Sequence, residues 1–198
     1  MSTRGAYGFV FKNNYYVQWC SEDAYPGGLG EDVYIFINEC VAWDKIKYNL
    51  LQFNNIYLSA NGWSPLNNLR RFIEDNFQHN SALVHDNPLI SSLFCEYGYL
   101  INLDLNCLDL YRGFQHLPQL NNPLGSSPAK NKYYPCKLVA SIPLKEVSRN
   151  KIIRCFQAGD LIKDAYELLQ YKAPEMPNLD HIEFKNINTL QEVVSYLK

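Results

Sequence analysis

Arg4-Gly-Ala-Tyr-Gly-Phe-Val-Phe11 and Tyr15-Tyr-Val-Gln-Trp-Cys20, separated by Lys12-Asn13-Asn14, form the stretch that decides the fold. Both runs are rich in aromatic residues and flank turn formers, the pattern of two paired strands. Asn tolerates positive φ, so Lys12-Asn13-Asn14 reads as a three-residue hairpin turn. That register sets Phe11 against Tyr15, Phe9 against Val17 and Tyr7 against Trp19 on one bulky face. The opposite face then holds Val10 with Tyr16, Gly8 with Gln18, Ala6 with Cys20 and Arg4 with Glu22, with Ser2 beyond. A two-residue turn would mix these faces, because a shift of one residue turns every side chain over.

Outward from the hairpin, helical patterns follow. Glu31 and Asp32 sit where a helix N-terminus favours negative charge. Val33, Phe36, Ile37, Cys40 and Val41 then recur at helical spacing. Ile46, Leu50 and Phe53 continue that helix or form a second. Ser64-Pro65 opens another, with Ser as N-cap and Pro in the first turn. Its apolar stripe is Leu66, Leu69, Ile73 and Phe77. A second hairpin spans 96–112, with Asp104-Leu105-Asn106 as its turn. Residues 113–132 form a long polar surface loop, a length typical of lids and binding loops. A strand at 136–142 precedes helical pieces at about 144–157 and 159–171. A helix at 188–198 ends the chain, carrying Leu190, Val193, Val194 and Leu197. The whole reads as one domain, 1–198, of α+β class. Its sheet is mainly antiparallel, built from two hairpins (about 4–20 and 96–112) plus the 136–142 strand, and packed by helices.

Composition narrows the function. The 198 residues carry a net charge of −2, with 18 Lys and Arg against 20 Asp and Glu. No basic run exists to displace counterions, which argues against nucleic acid. No segment approaches the ~20 apolar residues of a membrane span, so no membrane partner is expected. Arg4 is followed by alternating residues rather than an apolar block, so no leader is expected. The six cysteines form no CxxC pair and have no His at metal-finger spacing. They read as free thiols in a reducing cytoplasm. No metal site and no cofactor are expected. Fifteen Tyr and ten Phe point to rings in a core with hydroxyls at its polar edges.

Chemistry concentrates at the open end of the first hairpin. Ser2 is a small residue, and a small second residue favours removal of Met1. A terminal Ser can be its own catalytic pair, its hydroxyl attacking while the α-amine, of pKa near ~8, takes the proton. Asp23 would orient that amine or bind substrate, or it shapes an Asx turn. Arg4 would hold a carboxylate or phosphate, or pairs with Glu22 across the strands. Tyr25-Pro26-Gly27-Gly28 reads as a turn. The N–H groups of Gly28-Leu29-Gly30 would cradle an anion, or simply join strand to helix. Acidic Glu22, Asp23, Glu31 and Asp32 oppose a phosphate there.

The stretches STRG, DAYPGGLG (23–30), CEYGYLINLD (95–104) and YYPCKLVASIPL (133–144) resemble a family of microbial and viral proteins. Its members open with Cys- or Ser-Thr-Arg-Gly and carry Asp-x-Tyr-Pro-x-Gly-Leu-Gly after the first hairpin. The resemblance covers residues 2–30 and patches of 95–144. It carries no established activity with it. The layout also has a weak similarity to N-terminal nucleophile hydrolases, which implies a layered sandwich with the nucleophile opening a strand.

Two functions are compatible with these residues. One is a pocket at the open end of the first hairpin, walled by Tyr25 and the 113–132 loop, that binds a small molecule or a protein. The other is an amidohydrolase using Ser2 after loss of Met1. In the hydrolase reading Ser2 and Asp23 are the catalytic candidates; in either reading Arg4, Glu22, Tyr25 and Gly28 contact substrate or ligand.

Overall fold

The computed structural model describes residues 3–40, 42–61, 64–75, 83–84, 86–119 and 122–170, with side chains of the last helix described through Asp160. Ser2 and the expected 188–198 helix lie outside the described residues.

Strand β1 (Gly5–Phe11) and strand β2 (Asn14–Cys20) pair antiparallel, with Phe11 opposite Asn14. The turn therefore has two residues, Lys12 and Asn13, and both are left-handed, at φ 50° and 60°. Such a turn matches the right-handed twist of the strands better than a longer one. The Asp104 carboxylate fixes it, accepting the Lys12 N–H at 2.8 Å and the Asn13 N–H at 3.1 Å. The expected three-residue register is corrected by one position. Tyr7 now stands opposite Gln18 and Phe9 opposite Tyr16, while Ala6 faces Trp19 and Gly8 faces Val17.

After β2 come helix α1 (Leu29–Glu39) and helix α2 (Trp43–Leu50). A three-residue strand β3 (Ile56–Leu58) then runs parallel to β2. Its brevity hides it from periodicity. Helix α3 (Pro65–Arg71) begins at Ser64, whose Oγ accepts the Asn67 N–H at 3.3 Å. Strand β4 (Tyr97–Asn102) and strand β5 (Cys107–Arg112) form the second hairpin, and strand β6 (Lys137–Pro143) pairs with β5. Helix α4 (Arg149–Gln170) is continuous where two pieces were expected. Gly159 sits within it because a Cβ there would lie 3.0 Å from Val139.

The chain is thus α+β, with one six-stranded sheet of order β3-β2-β1-β4-β5-β6. Three neighbouring pairs are antiparallel; β1 with β4 and β2 with β3 are parallel. The expectation of hairpin pairing is met within each hairpin, whereas the hairpins join through parallel β1 and β4.

Strand alternation gives the sheet two different covers. On one face Tyr7, Phe9, Tyr16, Tyr99, Ile101, Leu108 and Leu110 meet Val33 and Phe36 of α1, Ile46 and Leu50 of α2, Leu69 of α3, and Ile152 and Phe156 of α4. Phe9 contacts Phe36 and Phe72 at ring distances of 5.9 and 4.9 Å. Each such fully buried side chain contributes about 1.5–3 kcal/mol before entropy is counted. On the other face Ala6, Val10, Val17, Leu100 and Tyr111 meet Leu89, Cys95, Cys136 and Leu124, all from loops or short turns. Among the described residues α1 to α4 pack on one face, while loops and the short helical turn Pro88–Ile90 cover the other.

The 113–132 loop is part of that second cover. It is tied to its surroundings by the Gly113 N–H to Glu96 O and the Phe114 N–H to Ser92 O, both at 2.9 Å. Asn122 Nδ2 and Asn131 Nδ2 donate to Cys136 O and Ser91 Oγ. Burying the second face of a sheet requires something apolar against it, and here a loop supplies it. All six cysteines are free. Among the described residues no helix is long and apolar enough to cross a membrane.

Candidate functional site

Past Cys20 the chain leaves the sheet, and its backbone closes on itself. Asp23 takes φ 51°, a left-handed conformation that Asp tolerates. Its carbonyl accepts the Leu29 N–H at 2.8 Å. The Tyr25 carbonyl accepts the N–H groups of Gly28 and Gly30, at 3.0 and 3.4 Å. Glu31 and Asp32 both donate to Gly28 O. The first N–H groups of α1 are therefore used within the chain, and Gly28-Leu29-Gly30 offers no anion cradle. Gly28 itself has φ −106°, so it is needed for space and not for positive φ. A Cβ there would collide with the Asp23 carbonyl.

Three further contacts pin this loop to the sheet. Ala24 N–H donates to Thr3 O at 3.1 Å. The buried Tyr99 hydroxyl donates to Ala24 O at 3.0 Å. Gly5 leaves room for Ala24, since a Cβ at Gly5 would lie 2.6 Å from the Ala24 Cβ. The Arg-Gly step near the start and the Ala-Tyr-Pro turn are thus one packed unit.

Between this loop, the end of β2 and the start of α3 lies a cleft of about 500 Å³. Glu22, Asp23 and Gly28 line it, as do Tyr7, Trp19, Cys20, Asp32, Asn61 and Ser64. Asn61 is held by a reciprocal amide pair with Asn68, at 3.1 and 2.9 Å. Asn68 Nδ2 also donates to the Tyr7 hydroxyl at 2.8 Å. Behind Tyr7, an apolar void of about 20 Å³ is too small for a ligand.

The other expected site residues lie elsewhere. Arg4 is on the opposite face with Ala6, its guanidinium 5.4 Å from the centre of the Phe94 ring. Its N–H donates to Glu96 Oε1, and among the described residues no ion pair joins it to Glu22. The one-residue change of register is the reason, since β1–β2 pairing ends at Gly5 with Cys20. Tyr25 is 43 % exposed and contributes its backbone rather than its ring to the site. The 113–132 loop covers the other face and does not wall the cleft. Ser2 lies outside the described residues.

The electrostatics are governed by burial and neighbouring carboxylates, with the Arg70 charge opposing them at Asp32. Burial raises the Asp32 carboxyl above its ordinary range, partly offset by the Leu66 N–H, which donates to it at 3.4 Å. Burial also raises the Cys20 thiol, with the carboxylates of Asp32, Asp23 and Glu22 adding to the effect. Its Sγ–H donates to Glu22 O at 2.9 Å. Cys20 is therefore a thiol at neutral pH, not a nucleophilic thiolate. Tyr7 is pushed upward by burial as well.

Tyr7, Trp19, Asp32, Asn61 and Ser64 were not legible as site residues. Tyr7 and Trp19 alternate like core residues. Asp32 and Ser64 meet only because α1 packs beside α3. Comparison with protein-family models, with curated proteins and with solved structures finds no match.

Proposed function

We propose that the chain binds a small molecule in the cleft at the open end of the β1–β2 hairpin. The supporting observation is the cleft itself. Its volume of about 500 Å³ falls in the range of small-ligand sites. Backbone hydrogen bonds of the 23–32 segment and the N-capped α3 hold its walls before any ligand arrives. Such preorganisation lowers the entropy cost of binding. The raised Cys20 thiol favours binding over thiol chemistry. Six free thiols favour the reducing cytoplasm as its place of work. The test is an NMR screen of the full chain against a broad library of small polar compounds. Hits are expected to shift the Gly28 and Cys20 amides. A library in which no compound moves those signals overturns the reading.

One observation favours the amidohydrolase alternative. The Thr3 carbonyl is bonded to Ala24, in the loop that carries Asp23. In that reading Ser2 attacks an amide carbon and its α-amine, oriented by Asp23, takes the hydroxyl proton and passes it to the amine that leaves as the C–N bond breaks; water then hydrolyses the Ser2 ester. Intact mass with Met1 retained would sink it. With Met1 removed, Ser2→Ala should abolish amide hydrolysis and leave the unfolding midpoint unchanged.

A further inference from the structure

The second face of the sheet carries a pair of side chains that the cleft does not use. Cys95 and Cys136 are both fully buried, among the loop segments that cover that face. Cys95 lies just before β4 and Cys136 just before β6, with β5 between those strands. Gly113, the residue after β5, gives them room to meet, since a Cβ there would collide with the Cys95 carbonyl. The Cys136 thiol donates to that same carbonyl at 3.3 Å, and the two thiols are in hydrogen-bonding contact. Thiols already in contact are close to the geometry that a disulfide needs. Cys20 and Cys107 are bonded elsewhere, to Glu22 O and to the Asp109 carboxylate.

Both residues sit at the root of the loop cover. Where the 113–132 loop leaves β5, the Gly113 N–H donates to Glu96 O, next to Cys95. The Cys136 N–H donates to Leu89 O at 2.8 Å, and Cys136 O accepts Asn122 Nδ2 at 3.0 Å. A bond between the two sulfurs would therefore close residues 95–136 into a ring that holds the second hairpin and the whole loop. Burial raises the Cys95 thiol well above its ordinary range, and the Cys136 thiol beside it raises it further. In the closed fold Cys95 is thus protonated, and both sulfurs are shielded.

We propose that Cys95 and Cys136 form a redox latch on the loop cover of the sheet, open as two thiols and shut as a disulfide. The oxidant is a small disulfide, such as oxidised glutathione, admitted when the cover lifts locally. One cysteine loses its proton and attacks the oxidant, forming a mixed disulfide and releasing one small thiol. The other then loses its proton, displaces the second small thiol and forms the Cys95–Cys136 bond. Two electrons and two protons pass from the pair to the oxidant, which leaves as two thiols. Neither cysteine lines the cleft, so the latch is independent of what the cleft binds.

The experiment is incubation of the full, reduced chain with excess oxidised glutathione at about pH 8, where thiols begin to ionise. Intact mass, non-reducing peptide mapping with fragmentation, and thermal unfolding follow. The expected product is lighter by two hydrogens and carries Cys95 linked to Cys136. The closed ring should raise the unfolding midpoint by about 5 °C or more, and reduction should reverse both changes. Cys95→Ala and Cys136→Ala should show neither. Stable glutathione adducts on these two cysteines, a dominant disulfide between any other pair, or thiols left unmodified at equilibrium overturn the proposal. A Cys95–Cys136 bond that leaves the midpoint unchanged, or lowers it, overturns it as well. All of these are read on the parent chain, so the stability of the variants does not decide the outcome.

Discussion

Asp104 and Asp109 stand at the turn end of the sheet, and Asp23 and Asp32 at its open end. Asp104 receives two backbone N–H groups from the first hairpin turn. Asp109, 4 % exposed, accepts Asn102 Nδ2 at 2.9 Å, Ser141 Oγ at 2.5 Å and Cys107 Sγ at 3.3 Å. Burial and this carboxylate push the Cys107 thiol up to about 12. At the open end Asp32 has one weak donor, and no described basic side chain borders the cleft. The same residue type is thus consumed by the fold at one end and left available at the other. What separates them is the supply of donors from the chain itself.

The largest effect that would sharpen this contrast is at Asp109. Asp109→Ala removes the acceptor of three neighbours, two of them buried, and should cost about 2–4 kcal/mol in urea unfolding. A loss below about 1 kcal/mol would break the comparison, because that is the scale of a single ordinary hydrogen bond. Asp104→Ala comes next. It frees two exposed N–H groups that water can reach, so a loss of about 1 kcal/mol is expected from the same measurement. A loss equal to that of Asp109→Ala would mean that exposure does not soften the effect.

Asp32→Asn should have the smallest effect, and of opposite sign. The folded carboxyl has a raised pKa, so its ionised form is disfavoured by folding. That cost is present at neutral pH and fades as pH falls through the raised value toward about 4, the ordinary range. Asp32→Asn keeps an oxygen for the Leu66 N–H. Its unfolding midpoint at pH 7 should equal or slightly exceed that of the parent, with the difference vanishing below about pH 4. Because much of the group is solvent-accessible, the gain is small. A clear drop in midpoint would make Asp32 a structural cap of α3 and remove the contrast.

Much of the fold was legible residue by residue. The two hairpins, the β6 strand, the Ser64-Pro65 helix start and the apolar stripe of α1 all follow from local pattern. The turn length was not, because Lys12-Asn13 and Lys12-Asn13-Asn14 are both acceptable locally. Asp104, far along the chain, favours the shorter one. That single residue of register moved Arg4 away from Glu22. At the site, Glu22, Asp23 and Gly28 were named from their place after β2, and they do line the cleft. Arg4 and Tyr25 were named with them and do not. The opposite wall could not be read, since nothing in Ala60, Asn61, Ser64 and Pro65 marks them as neighbours of 22–32.

The sequence by itself determined the α+β class, the local pairing within each hairpin, and the gathering of acidic residues after β2. These depend on periods of two and 3.6 residues and on turn chemistry, which act over a few positions. Only the tertiary structure decided the parallel joining of β1 to β4, the loop cover on the second face, and the cleft. Those depend on which buried surfaces meet. Burial is non-directional and leaves no periodic trace of its partner in the chain.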